Sequence, residues 1–246
     1  MRSAPDQAFL TARPFAHRGL HGDGAHGGGR SENGMAAFRA AIAAGFGIEC
    51  DVRLSADGVA MIFHDATLDR LTGEAGSVAT RDAAALGALS LPDGGPIPRL
   101  ARLLPLTTAS ATPLLIEVKV DGHQVAPICT AVLADIKATG TATVAIMSFN
   151  PLVPRWFAVH APHVPRGLVV TQRDSHGLRG IVSRTLALAL ARPDFLACDI
   201  SDLPSSLAIR ARRRGLPVLS WTVRTLEQRE RAGTHADQII FEEVAA

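Results

Sequence analysis

From one end of the chain to the other, short apolar runs alternate with longer segments whose apolar residues recur at spacings of three and four. This is the pattern of repeated βα units on a parallel sheet. The apolar runs are 14–19, 47–55, 113–120, 141–149, 166–171, 195–201, 216–223 and 237–244, with an extra run, 59–65, close behind the second. Helical spacing is carried by 32–44, 123–139, 184–191, 205–214 and 226–232. Eight strands joined by seven crossovers predict an α/β protein of the closed (β/α)8 TIM-barrel class. An open doubly wound sheet is the structural alternative. It is disfavoured because no Gly-x-Gly-x-x-Gly follows the first strand and polar groups recur at strand ends, where a barrel carries its catalytic rim. The 246 residues, 47% of them hydrophobic, suit one barrel domain over 1–246. A small insertion is expected over about 66–97, with Gly73, Gly76, Gly94 and Gly95 as turn points, and a glycine-rich loop over 21–30. The last helix of the ideal barrel is expected to be missing or replaced by the N-terminal dozen residues.

Composition narrows the partners. Twenty-five Lys and Arg against 23 Asp and Glu leave a formal charge of +2, and the longest like-charge run is Arg212-Arg213-Arg214, so no nucleic-acid surface is expected. Aromatics make up 4% of the chain, with no Tyr, which removes the rings on which single-stranded nucleic acid stacks and favours a small-molecule substrate. Cys50, Cys129 and Cys198 each stand in an apolar run and read as small buried hydrophobes in a reducing compartment. With neither a signal peptide nor a run long enough to span a bilayer, a cytoplasmic protein without integral membrane association is expected. The sequence carries no mark of oligomeric state.

The chemistry-bearing residues stand at strand ends. In Gly47-Ile48-Glu49-Cys50-Asp51-Val52-Arg53 the two acids are two positions apart and share one face of a strand. They read either as an exposed face or as oxygen ligands to a divalent metal, which would stabilise two anions that otherwise repel. Glu117 and Lys119 share a face at the end of the apolar run Leu114-Leu115-Ile116. A buried Glu117 needs a partner, either a metal shared with Glu49 and Asp51 or the ammonium of Lys119. Three carboxylates suit a hard cation, Mg²⁺ or Ca²⁺, rather than zinc. The chain has 23 Arg and two Lys, so a lysine at 119 points to a compact ammonium that either binds a phosphate oxygen or pairs with Glu117. His17 and His64 each stand where an apolar run meets a loop, and each could be structural. As a pair beside these acids they are suited to moving protons on and off oxygen near neutral pH. Arg18 adds a fork of donors for a phosphate, and Gly19 lets the chain turn away. Trp221 reads either as a closure over a substrate's carbon atoms or as core filling.

In order along the chain, His17-Arg18-Gly19, Glu32-Asn33, Glu49-Cys50-Asp51-Val52, Asp57-Gly58, His64-Asp65, Leu68-Asp69-Arg70, Thr72-Gly73, Ile97-Pro98-Arg99-Leu100, Ile116-Glu117-Val118-Lys119 and Trp221-Thr222-Val223 resemble the glycerophosphodiester phosphodiesterases. The resemblance implies a metal-dependent barrel enzyme that converts glycerophosphodiesters to glycerol 3-phosphate and an alcohol. It puts metal ligands at Glu49, Asp51 and Glu117, acid–base histidines at His17 and His64, and phosphate-binding cations at Arg18 and Lys119. It also implies attack by the glycerol 2-hydroxyl on phosphorus, giving a cyclic phosphate that water then opens. The chain departs from the family at Glu32-Asn33-Gly34, where Thr usually follows Asn, at Arg224, and at Gln238-Ile239-Ile240-Phe241-Glu242, segments expected to line the mouth and choose the substrate. A phospholipase D-like enzyme or lyase acting on lysophospholipids, releasing the cyclic phosphate, is one alternative. A non-catalytic phosphodiester-binding protein is another.

Overall fold

A computed structural model of the protein describes residues 7–22, 28–140, 143–172 and 177–242. Along the chain run α1 (Phe9–Ala12), β1 (Phe15–Ala16), α2 (Met35–Ala43), β2 (Gly47–Leu54), β3 (Ala60–Ile62), α3 (Asp69–Thr72), α4 (Ala83–Gly87), α5 (Leu100–Ala109) and β4 (Leu114–Val118). There follow α6 (Ala126–Thr139), β5 (Val144–Ser148), α7 (Leu152–His160), β6 (Arg166–Val170), α8 (Gly177–Ala191), β7 (Phe195–Asp199), α9 (Ser206–Arg213), β8 (Val218–Val223), α10 (Leu226–His235) and β9 (Gln238–Phe241). Short 3₁₀ turns lie at Val78–Thr80 and Ile200–Asp202. The fold is the expected (β/α)8 barrel, whose eight parallel strands are all of these but β3. The expected strand residues 141–142 and 243–244, and 23–27 of the glycine-rich loop, lie outside the described residues.

The chain divides into two compact units, residues 15–144 and residues 1–14 with 145–246. In the first, β1 and β4 flank β2 in parallel, with Phe15 opposite Gly47 and Asp51 opposite Glu117. Every residue of β4 is buried, as befits a parallel strand covered on both faces. The extra run becomes β3, antiparallel to β2, with Val52 opposite Ile62. Beyond it the insertion has its own small core of Phe63, Leu68, Val78, Ala83, Leu86, Leu91 and Ile97. In the second unit β5 to β9 pair in parallel order. There α1 lies against β9, with Leu10 buried and Gln238 Nε2 donating to the Thr11 carbonyl at 3.0 Å.

Besides the short helices α1, α3 and α4, the longer helices α5 and α7 were not expected from spacing, and both of these contain proline. In α5, Leu100, Leu103, Leu104 and Thr107 form a buried stripe that accommodates Pro105 inside the helix. In α7, Pro154 falls in the first turn, where no intrahelical N–H is needed, and Asn150 Oδ1, just ahead of the N-cap Pro151, accepts from Leu152 N at 3.0 Å. No helix among the described residues is long and apolar enough to cross a membrane.

Candidate active site

Two strands set the acids. On β2 the residues alternating with the acids, Ile48, Cys50 and Val52, are buried on one face, so Glu49 and Asp51 project together from the other, both fully buried. The parallel register of β4 adds Glu117, and the ligand oxygens of all three lie within 4.8 Å of one another. Burial, then repulsion by Asp51 and Glu117, pushes Glu49 well above the usual carboxylate range. Glu117 is also raised, by burial first, despite Lys119. Burial would raise Asp51 too, but Lys119 and Arg18 hold it below its ordinary value. The Lys119 ammonium sits between Asp51 Oδ1 at 3.1 Å and Glu117 Oε1 at 2.6 Å, and these anions outweigh burial to keep it charged.

The end of β1 supplies the next layer. His17 Nε2 stands 3.9 Å from Glu49 Oε2. The Arg18 backbone N–H donates to that same oxygen at 2.9 Å, while Arg18 Nε lies 3.1 Å from Asp51 Oδ2. This fold-back needs Arg18 at φ +55° and Gly19 at φ +79°. A Cβ on Gly19 would meet the Ala37 backbone at 2.8 Å, so only glycine fits. Asn33, at φ +57°, donates from Nδ2 to Asp51 Oδ2 at 2.9 Å and accepts from Asp51 N at 3.2 Å. Its left-handed backbone is why α2 starts at Met35 rather than at the expected residue 32.

His64 follows β3. Its Nδ1 meets Asp65 Oδ1 at 2.6 Å. Burial lowers its pKa, opposed by Asp51. Asp65 Oδ2 accepts from Arg70 Nε at 2.6 Å, and Arg70 Nη1 and Nη2 donate to Glu32 Oε2 and Oε1 at 2.9 and 2.6 Å. Glu32 Oε1 also accepts from Arg18 Nη1 at 2.8 Å. The first unit therefore gathers His17, Arg18, Glu49, Asp51, His64, Glu117 and Lys119 through direct contacts or mutual electrostatics. Trp221 belongs to the second unit, where it packs edge-on to Phe149 at 5.5 Å and donates from Nε1 to the Ala197 carbonyl at 3.0 Å.

Sequence reasoning assigned no role to Asn33, Glu32, Asp65 or Arg70. The available signals were their places in the motifs that carry the family resemblance and the Asn-Gly pair at 33–34, since asparagine is among the few residues that tolerate a positive φ.

The acidic cluster fits a divalent cation. Glu49 Oε1 is buried with no hydrogen-bond partner. Among the described groups, the carboxylates of Glu32, Glu49, Asp51, Asp65 and Glu117 outnumber the cations Arg18, Arg70 and Lys119 by two, the charge one such ion would neutralise. Oxygen-only ligands suit a hard metal.

Residues 17–244 match the model of the Glycerophosphoryl diester phosphodiesterase family. The "Probable glycerophosphodiester phosphodiesterase 1" of Mycobacterium tuberculosis is 41% identical over 80 residues, covering 31% of this chain and 27% of that protein, little more than a quarter of its length. A solved structure from Silicibacter pomeroyi that carries the family's name shares 26% identity at a TM-score of 0.79, covering 94% of this chain and 90% of that one. An Oleispira antarctica phosphodiesterase, solved with the product sn-glycerol-3-phosphate, shares 22% identity at a TM-score of 0.81, covering 96% of this chain and 95% of that one, and so the fold.

Proposed function

The chain belongs to the glycerophosphoryl diester phosphodiesterase family, and on that premise we propose that it is a phosphoric diester hydrolase that uses one Mg²⁺ or Ca²⁺ ion to convert glycerophosphodiesters to glycerol 3-phosphate and an alcohol. The observation that carries the reading is the buried trio Glu49, Asp51 and Glu117 with Arg18 and Lys119 against it. The three carboxylates would hold the metal, which when bound supplies Lewis-acid polarisation of a phosphoryl oxygen. Arg18 and Lys119 stay cationic and bind the remaining phosphoryl oxygens, stabilising negative charge as it grows.

His17 and His64 move the protons. One accepts the proton of the glycerol 2-hydroxyl as that oxygen bonds to phosphorus, and the other protonates the leaving alcohol as its P–O bond breaks. In the second step the roles reverse and water opens the cyclic phosphate. The substrate is a small molecule, and the whole chain acts as one barrel domain. Three buried free thiols, Cys50, Cys129 and Cys198, support a cytoplasmic setting.

The test is release of glycerol 3-phosphate from glycerophosphocholine by metal-stripped protein, with and without Mg²⁺ or Ca²⁺. Metal-dependent release by the wild type, lost in His17→Ala and Glu49→Ala, is the expected result. A stable cyclic product seen by phosphorus NMR would instead favour a lyase. No turnover of any diester with any metal would favour a binding protein.

A further inference from the structure

Arg70 stands on α3 in the insertion, away from the barrel strands, yet it is the centre of a chain of ion pairs. Its Nε holds Asp65 Oδ2 at 2.6 Å, and its two terminal nitrogens grip both oxygens of Glu32 at 2.6 and 2.9 Å. The chain continues at both ends, from Asp65 Oδ1 to His64 Nδ1 at 2.6 Å and from Glu32 Oε1 to Arg18 Nη1 at 2.8 Å. An ionised carboxylate can only accept, so the contact with Asp65 places the hydrogen of a neutral His64 on Nδ1 and leaves the Nε2 lone pair for a substrate proton. Half of the Arg70 side chain is exposed. Ion pairs so near water add little to stability. Three short contacts from one planar group instead define a geometry, which a lysine could not reproduce.

We infer that Arg70 is a positioning residue, which through Asp65 and Glu32 holds the His64 imidazole and the Arg18 guanidinium in one fixed relation, so that proton transfer and phosphate binding meet at the same substrate. The inference rests on the roles given to His64 and Arg18 under the proposed function. Arg18 keeps its own contacts to Glu49 and Asp51 without Arg70, so loss of Arg70 weakens the reaction step more than substrate capture.

The test is steady-state hydrolysis of glycerophosphocholine by the full chain with Mg²⁺ supplied, beside ¹⁵N NMR of the His64 ring in the same variants without substrate. Arg70→Gln is expected to lower kcat roughly ten- to a hundredfold, with KM changed less than about threefold. Arg70→Lys keeps the charge without the fork and is expected to lie closer to Arg70→Gln than to wild type. Asp65→Asn and Glu32→Gln act through the same guanidinium, so the double variant is expected to lose at least about threefold less than the product of the single losses. In the NMR spectrum, wild type is expected to show the Nδ1–H tautomer and Arg70→Gln a mixture. Wild-type kcat in Arg70→Gln, full recovery in Arg70→Lys, or an unchanged tautomer would each overturn the inference. The tautomer needs no turnover, so a wild type inert on every diester with a tautomer that still responds to Arg70→Gln would remove the functional reading and leave the positioning link standing.

Discussion

Asp51 and Asp199 each stand on a parallel strand, one in each unit, and both are buried. Asp199 is met by backbone and hydroxyl donors. Its Oδ1 accepts from Ser201 N at 2.9 Å and Ser201 Oγ at 2.7 Å, capping the 3₁₀ turn that follows, and its Oδ2 accepts from Thr171 Oγ1 at 3.3 Å. Asp51 instead shares a face with Glu49, stands opposite Glu117, and is held ionised by Lys119 and Arg18, which come from other strand ends. A buried acid marks a site where its neighbours are other acids and its counter-ions come from a distance. Where neutral backbone and hydroxyl donors occupy its lone pairs, it is part of a turn.

The largest way to break this contrast is substitution at the two aspartates. Asp51→Asn removes a proposed metal ligand and the anion that anchors both Arg18 and Lys119. Turnover measured with saturating Mg²⁺ is expected to fall by roughly 10³-fold. Asp199→Ala removes a cap and is expected to cost about 1 kcal/mol of stability by urea unfolding. Equal losses of turnover in the two variants would erase the distinction.

A smaller effect sharpens it at the edge of the first unit. Burial works against ionisation of Glu32 and Asp65, but hydrogen bonds from Arg70, with help from Arg18 and His64, hold both below their ordinary values of 4.5 and 3.8. A carboxylate whose pKa is depressed on folding adds stability that is present above its unfolded value and lost as pH falls through its folded value. Stability of the wild type should therefore decline as pH drops below about 4.5, and the decline should be shallower in Arg70→Gln. Urea midpoints measured across the acid range check this, and parallel acid limbs would contradict it.

The strands were legible because each is an apolar run bounded by Gly, Pro or Asp, and the acids because two-residue spacing on a strand puts them on one face. Lys119 stood out because this chain almost always uses Arg. The helices α5 and α7 escaped because prolines interrupt their spacing, although tertiary burial stabilises both. The chain from His64 to Arg18 escaped for a different reason. Arg70 and Glu32 are 38 positions apart, and no periodicity relates a residue in an insertion to one preceding a distant helix. β1 shrank to two residues because Arg18 and Gly19 leave the extended region immediately after it.

The most direct test of the central claim is calorimetric titration of Mg²⁺ or Ca²⁺ into wild type, Asp51→Asn and Asp199→Ala. One divalent ion bound by wild type and Asp199→Ala, and none by Asp51→Asn, is the predicted result. Undiminished binding by Asp51→Asn would show that the buried carboxylates of β2 and β4 are not a metal site.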